Sequence, residues 1–168
     1  RQKLLTSSKT LTDITELPIV EYIPKLSCQI EKDAYEKIME HSDSLLDILK
    51  PQPLFFEKCI AIKGTAYNWI CAYDHLPSGF NSDGTSYISK DLKIYSAEST
   101  EDQYFALAYL NSRIAFWLWT VIGDGFHVTK RLLSVSKIFR DTMKYNELVS
   151  LGKEFSNQIT QYPTISIN

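Results

Sequence analysis

Hydrophobic and polar positions divide the first third of the chain into an irregular arm and a helix. Residues 1–24 are polar and β-branched, and Pro18 and Pro24 interrupt any helix, so we interpret them as a linker or arm able to add an edge strand. In residues 30–49, apolar side chains recur at helical spacing, which predicts one amphipathic helix. The Pro-x-Pro segment at 51–53 is predicted to end it.

The middle of the chain has the β-branched and aromatic composition of strands. Residues 55–62 and 65–73 are separated only by a Lys-Gly dipeptide, which predicts a tight hairpin. Residues 74–85 are rich in glycine, proline and short polar side chains and are predicted to form a loop. A further and weaker strand is predicted over residues 86–95.

The most apolar segment, residues 104–122, predicts a long buried helix. Thr100 and Gln103 form a capping-box pattern before it, and Gly123 ends it. The apolar run is long enough to span a bilayer, but Arg113 at its centre would cost on the order of 3 kcal/mol there. We therefore predict a helix packed against the sheet, without contact to a membrane.

Beyond the glycine turn the pattern predicts two further elements. Residues 132–139 fit a short strand or turn, and residues 141–160 fit an amphipathic helix whose apolar face carries Leu148, Leu151 and Phe155. Together these elements predict an α+β fold, with a mixed or antiparallel sheet packed against the long buried helix and flanked by further helices.

Size and composition change this picture little. The chain has 168 residues, 44% of them hydrophobic and 12% aromatic, which predicts one globular domain over residues 25–168 and excludes a disordered chain. The three cysteines form no Cys-x-x-Cys pair, which favours free thiols in a reducing, cytoplasmic compartment. Because the sequence begins at Arg1, we expect it to be a piece of a longer protein.

Catalytic motifs are missing from the sequence. It contains no Gly-x-Ser-x-Gly elbow, no phosphate-binding glycine-rich loop and no His-Glu-x-x-His pair, and its three histidines are scattered. Cys71 and His75 are four residues apart, but with Cys59 they give no recognisable zinc pattern. We therefore predict no catalytic, metal or cofactor site in this chain.

Charge is segregated locally although the net charge is only −2, which gives no general attraction to nucleic acid. After the glycine turn, five cations stand against the single acid Asp141: Lys130, Arg131, Lys137, Arg140 and Lys144. Such a strip suits contact with phosphates, but charge alone favours an ordinary solvated surface. Similarly, Tyr67, Trp69 and Tyr73 alternate along a predicted strand, where they could stack on bases or form one side of the sheet core.

Three matched segments resemble the C-terminal region of bacterial DNA methyltransferases of the Eco57I and TaqI type. They are AYLNS at residues 108–112, the aromatic run FWLW at 116–119 and the turn GDGFHVTK at 123–130. The likeness extends from about residue 55 to residue 138. The sequence departs from the family pattern at residues 131–133, where an acid or serine is usual, and at 136–138, which replace Phe-Pro-Ile.

The resemblance implies one half of such an enzyme. In that family a Rossmann-like domain binds S-adenosylmethionine and methylates adenine N6 with an Asn/Asp-Pro-Pro-Tyr motif, and this chain has no such tetrapeptide. The implied half is the target recognition domain of a type II or IIG restriction–modification methyltransferase. It would not be an enzyme itself but would position double-stranded DNA for its own N-terminal catalytic domain, which would carry the cofactor.

Within this interpretation the glycine turn brings hydroxyl and cationic side chains to the DNA. We predict that the turn and the residues after it contact the phosphate backbone through Gly125, His127, Thr129, Lys130 and Arg131. A less specific prediction places residues of the hairpin near the bases, namely Lys63, Tyr67, Asn68 and Trp69. Two alternatives stay open: a subunit of a restriction system that binds a protein partner, and a small stand-alone hydrolase or transferase.

Overall fold

The computed structural model describes residues 23–140, 142–161 and 166–167, in which the chain forms six helices and seven strands. The helices are α1 (Gln29–Met39), α2 (Leu45–Ile48), α3 (Thr100–Leu110), α4 (Arg113–Ile122), α5 (Lys130–Val135) and α6 (Met143–Gln161). The strands are β1 (Leu49–Gln52), β2 (Cys59–Lys63), β3 (Ala72–Tyr73), β4 (Ser78–Phe80), β5 (Ser86–Ile88), β6 (Leu92–Ala97) and β7 (Ser166–Ile167). The predicted arm lies outside the described residues, except for its last two positions.

Two sheets organise these strands. The larger one has the order β1-β6-β2-β3, and all its neighbours are antiparallel. The smaller one has the order β5-β4-β7, in which β4 pairs antiparallel with β5 and parallel with β7. The α+β prediction, with an antiparallel sheet, a central buried helical segment and flanking helices, is confirmed.

The core lies between the larger sheet and the helices. Phe105 on α3 is fully buried, and the side-chain amide of Gln103 donates to the Cys59 carbonyl on β2 at 3.0 Å, so α3 is fixed against the sheet. On its other side α3 meets α6 very closely. A Cβ atom at Gly152 would stand 1.9 Å from the Tyr104 carbonyl oxygen, so this crossing requires glycine.

The predicted long helix over residues 104–122 is in fact two helices that meet at 67°. At the break, the Asn111 side-chain amide accepts from the Ala72 N–H at 3.3 Å and donates to the Ala72 carbonyl at 2.9 Å. Ser112 then caps α4 by accepting from the Ala115 N–H at 3.2 Å. These polar contacts replace helical hydrogen bonds, which explains the bend.

Among the described helices, none is by itself both long and apolar enough to cross a membrane. The bent pair of α3 and α4 reaches the required length and composition only when its two parts are taken together.

The helix predicted over residues 30–49 is also divided. A capping box starts α2, because Asp47 accepts from both the N–H and the hydroxyl of Ser44, at 2.8 and 2.7 Å. The Leu45 N–H donates to the Ser136 carbonyl at 2.8 Å, a bond that no local pattern could reveal. Pro51 ends no helix but lies in β1, an edge strand that tolerates proline.

Two boundaries on either side of the central helices differ from prediction. The N-cap of α3 is Ser99 and not Thr100, since the Ser99 hydroxyl accepts from the Asp102 N–H at 3.0 Å. The strand predicted over 86–95 is two strands in different sheets, because the chain leaves β5 and turns at Asp91 before β6 begins.

The two elements after the glycine turn had mixed outcomes. The strand or turn predicted over 132–139 is wrong for its first half, because residues 132–135 belong to helix α5, from which Leu132, Leu133 and Val135 are buried. In its second half Lys137 forms an antiparallel bridge with Ser44. The final helix exists as α6, with Leu148 and Phe155 packed on the core. Leu151, which was predicted on the same face, is 55% exposed.

Candidate functional site

After β2 the chain does not turn directly into β3. Strands β2 and β3 do pair, but residues 64–71 separate them, so the predicted tight turn at Lys63 and Gly64 is wrong. Asp91 explains the longer path. Its carbonyl accepts from the Gly64 N–H at 2.7 Å, and its carboxylate accepts from the N–H and hydroxyl of Thr65 at 3.0 and 2.6 Å.

The glycine turn pairs with this same segment. The Val128 N–H donates to the Gly64 carbonyl at 2.8 Å, and the Ala66 N–H donates to the Phe126 carbonyl at 2.9 Å. Between these bonds Thr65 lies opposite His127 in an antiparallel bridge. We call residues 63–69 and 123–131, joined in this way, the paired loops. All nine residues predicted to contact DNA lie in them, and both predicted groups are brought together.

The shape of the turn depends on an aspartate and two glycines. Asp124 Oδ1 accepts from the N–H groups of Phe126 and His127 at 2.8 and 2.7 Å, and its Oδ2 accepts from His127 Nδ1 at 2.6 Å. Gly125 has a φ of 84°, in the left-handed region that favours glycine. A Cβ atom at Gly123 would stand 2.4 Å from the Trp119 carbonyl oxygen, so the end of α4 also requires glycine.

Electrostatics reinforce this shape. The His127 side chain first, and then the backbone N–H groups of His127 and Phe126, hold the pKa of Asp124 well below its usual range. The aspartate is therefore charged at neutral pH and can only accept hydrogen bonds. Its two oxygens accept hydrogen bonds from three donors of the turn.

The far side of the turn is fixed to the core. The indole N–H of Trp119, a residue only 3% exposed, donates to the His127 carbonyl at 2.8 Å. Val128 is buried, and its carbonyl accepts from Lys93 Nζ at 2.6 Å. Both paired loops are therefore held to the rest of the fold by hydrogen bonds, and their exposed side chains extend from this anchored backbone.

The predicted cations lie at the end of the turn and start α5. Thr129 is the N-cap residue but makes no side-chain cap, so its hydroxyl is not used by the helix end. Lys130 and Arg131, in the first turn of α5, are both exposed. Lys63 is half-buried at the end of β2, one residue before the bonded Gly64.

The predicted basic strip is narrower than its sequence suggests. The Arg140 guanidinium lies 2.8 Å from the buried carboxylate of Asp102, and Lys144 Nζ lies 2.9 Å from Glu147. Lys137 Nζ donates to the Ser42 carbonyl at 3.1 Å. Lys137, Arg140 and Lys144 thus make contacts within the fold, and of the five cations Lys130 and Arg131 at the start of α5 are the exposed ones closest to the glycine turn.

The prediction that Tyr67, Trp69 and Tyr73 share one face of a strand is wrong. Tyr67 and Asn68 are exposed in the connection between β2 and β3, and the Tyr67 ring packs edge to face on Phe126 with centroids 5.4 Å apart. Trp69, 40% exposed, stacks on Phe116 at 5.6 Å. Only Tyr73 belongs to a strand, where it is half-buried.

Sequence reasoning missed three residues that build the site. Asp91 and Asp124 hold the two loops by their carboxylates, and Phe126 supplies an exposed ring between them. The role of Asp124 could have been predicted from the sequence, because an aspartate in a turn often accepts a hydrogen bond from the backbone N–H two residues later. Asp91 had none, since its partner is 26 residues away.

Hydrolytic machinery finds no support in the arrangement of side chains. Asp74 contacts His75 Nδ1 at 3.0 Å and also accepts from the Ser156 hydroxyl. In this grouping the hydroxyl donates to the carboxylate, whereas a nucleophile of that class needs the imidazole as its base. Across the described residues no cluster of three or more His, Cys, Asp or Glu side chains could hold a metal ion.

The chain matches no protein-family model, and no curated protein is significantly similar to it. Its resemblance to target recognition domains therefore rests on the residues themselves. The structure brings the two groups of residues predicted to contact DNA together, because the backbone segments that carry them are hydrogen-bonded to each other.

Proposed function

We propose that this chain is the DNA-binding target recognition domain of a type II or IIG restriction–modification adenine methyltransferase. It would hold duplex DNA for a catalytic domain that lies elsewhere in the parent protein. The observation that carries the proposal is the backbone pairing between Gly64–Ala66 and Phe126–Val128, which joins the two candidate groups on one anchored surface.

The chemistry of the paired loops suits a phosphate backbone. Lys130 and Arg131 supply positive charge, and Thr129 supplies a hydroxyl that the helix end does not use. The nearby carboxylates are already engaged: Asp91 by Thr65, and Asp124 by His127. Since the loops are anchored before binding, little conformational entropy would be lost when DNA is bound.

The cofactor belongs to the missing catalytic domain in this proposal. Asp91 and Asp124, the two carboxylates at the paired loops, accept hydrogen bonds from the backbone of those loops. A cytoplasmic location, where the substrate DNA lies, is part of the same proposal.

Salt dependence of DNA binding tests the role of the cations. For a 20-base-pair duplex, the slope of log K against log[salt] should become less steep by about two in Lys130→Ala/Arg131→Ala, because two phosphate contacts are lost. Fluorescence anisotropy of labelled DNA at several salt concentrations measures this slope. Affinity should fall on every duplex sequence alike, since phosphates carry no sequence information.

The matched control removes two positive charges elsewhere. Lys144→Ala/Lys153→Ala changes the net charge equally, but both residues are exposed on α6. Its slope should stay close to that of the unmodified chain. If the two double variants have the same slope, Lys130 and Arg131 do not contact the phosphates. If the chain binds no DNA at low salt, the proposed function is wrong.

A groove between α6 and the side chains of His41 and Phe139 favours a second candidate, a subunit that binds a protein partner. The groove has a volume of about 450 Å³ and is lined mainly by His41, Phe139, Leu148 and Leu151. Leu151 and the neighbouring Met143 are 55% and 73% exposed. Binding of a methyltransferase subunit that is lost in Leu151→Asp, together with no DNA binding, would support this candidate.

A further inference from the structure

Two exposed aromatic rings lie side by side on the paired loops. Tyr67 is 68% exposed and Phe126 is 40% exposed, and their rings meet at 82°. The Phe126 ring also meets the His127 ring edge to face, with centroids 4.8 Å apart, and the exposed parts of the Tyr67 and Phe126 rings remain open to another aromatic group.

The backbone fixes the Phe126 ring in this place. Its N–H donates to Asp124 Oδ1 at 2.8 Å, and its carbonyl accepts from the Ala66 N–H at 2.9 Å. Tyr67 follows directly after Ala66, so the same hydrogen bond positions both rings. The aromatic pair is therefore held outward and does not need to be ordered by a ligand.

The charges around the pair indicate what it binds. Lys130 lies four residues after Phe126 and is exposed, while the carboxylate of Asp124 accepts hydrogen bonds from the turn itself. An aromatic surface with a lysine close to it in the chain suits a polyanion that also carries flat rings, which describes nucleic acid better than a protein surface. Within an intact duplex, however, bases offer only their edges in the grooves.

We propose that Tyr67 and Phe126 form a stacking site for a nucleobase that is not stacked within a duplex. The site rests on the proposed DNA-binding function and adds a substrate preference to it. The phosphates beside the exposed base would be held by the cations that also hold duplex DNA. The domain would then bind DNA with unpaired bases more tightly than the same DNA fully paired.

Competition between two DNA forms tests this preference. The probes are a labelled 20-base-pair duplex and the same duplex in which three nucleotides of one strand are left unpaired. We expect the full chain to bind the second probe roughly tenfold more tightly, which is the effect of stacking one base on an aromatic ring. Phe126→Ala and Tyr67→Ala should each remove that preference, so that the two probes are bound with equal affinity.

Two further variants separate stacking from a loss of structure. Phe126→Trp should keep the preference, because the indole offers a larger ring. Phe80→Ala removes an equally exposed phenylalanine, 45% exposed on β4 in the smaller sheet, and should change neither affinity. Equal thermal unfolding midpoints for Phe126→Ala and Phe80→Ala would show that the fold is intact.

The possible results separate this proposal from the one on which it rests. If duplex DNA is bound but the unpaired bases bring no gain, or if Phe126→Ala weakens both probes equally, the stacking site is wrong and the proposed function stands. If neither probe is bound while a protein partner is captured through Phe126, both proposals are wrong.

Discussion

Asp102 and Asp124 perform similar chemistry in two very different places. Each carboxylate gathers three donors that include a basic side chain: Arg140, Tyr145 and Ser99 at Asp102, and His127 with two backbone N–H groups at Asp124. Asp102 is 2% exposed, whereas the Asp124 side chain is 54% exposed. The first therefore joins helices within the core, and the second shapes a loop at the surface.

The difference in burial shows that a carboxylate with several hydrogen-bond donors can either stabilise the core or set the shape of a surface loop. Around Asp102, burial first and then the aspartate charge raise the pKa of Tyr145 to about 12, so its hydroxyl remains a donor throughout the physiological range. Around Asp124, water screens the charges, and the geometry of the turn matters more than its energy. We expect substitutions at Asp102 to change folding, and substitutions at the glycine turn to change binding.

The largest expected effect is at the buried site. Asp102→Ala should lower the free energy of unfolding by about 3 kcal/mol, because the Tyr145 hydroxyl and the Arg140 guanidinium lose their shared acceptor. Urea denaturation measures the change. The control Glu101→Ala removes the same charge from an exposed neighbour and should cost less than about 0.5 kcal/mol. Equal costs would mean that the buried network adds nothing to stability.

An intermediate effect is expected at the glycines with positive φ. Gly125 and Gly84 have φ values of 84° and 83°, so an alanine at either position should destabilise the chain by about 1 kcal/mol. No atom lies within 4 Å of a Cβ at Gly84, so the strain there is confined to the β4–β5 turn. Only Gly125→Ala should also weaken DNA binding, as measured by anisotropy.

Gly84→Ala is a matched control for Gly125→Ala, because the two glycines have nearly the same φ but lie in different parts of the fold. A loss of DNA affinity in Gly84→Ala as large as in Gly125→Ala would show that general destabilisation, and not the shape of the turn, controls binding. Unfolding in urea provides the check that the two alanines do cost about the same.

The smallest effect concerns acid. The pKa of Asp124 is depressed in the folded chain, so its contribution is present above the unfolded value of about 3.9 and is lost as the pH falls through the lower native value. The amide signals of Phe126 and His127 in NMR spectra should therefore keep their positions at pH 4 and move only in stronger acid. In Asp124→Asn this acid-dependent movement should be absent. A midpoint at or above pH 3.9 in the unmodified chain would contradict the prediction.

Much of the fold could be predicted because local patterns were consistent with it. The α+β class and the helices around residues 104–122 and 141–160 follow from periodicity. The missed features depend on contacts distant in sequence. Asn111 bends the central helix by bonding to Ala72, 39 residues away, and α5 forms where a short apolar run is ambiguous between helix and strand.

The candidate site was predicted as two separate groups of residues. Their types could be chosen from charge and aromaticity, but their adjacency could not, because it depends on Thr65 lying opposite His127. The basic strip was overestimated for a related reason. The partner of Arg140 is Asp102, on an element far away in the chain, and no local pattern reveals that this cation is already neutralised.

The Asn111 amide has a consequence for association between molecules. Among the strands of the described residues, β3 is the last on its side of the larger sheet, and an open strand edge invites pairing with another chain. One primary amide satisfies both the N–H and the carbonyl of Ala72 on that side, as a neighbouring strand would do. The side chain that bends the central helix thus also occupies the two backbone groups of Ala72 that a further strand would need.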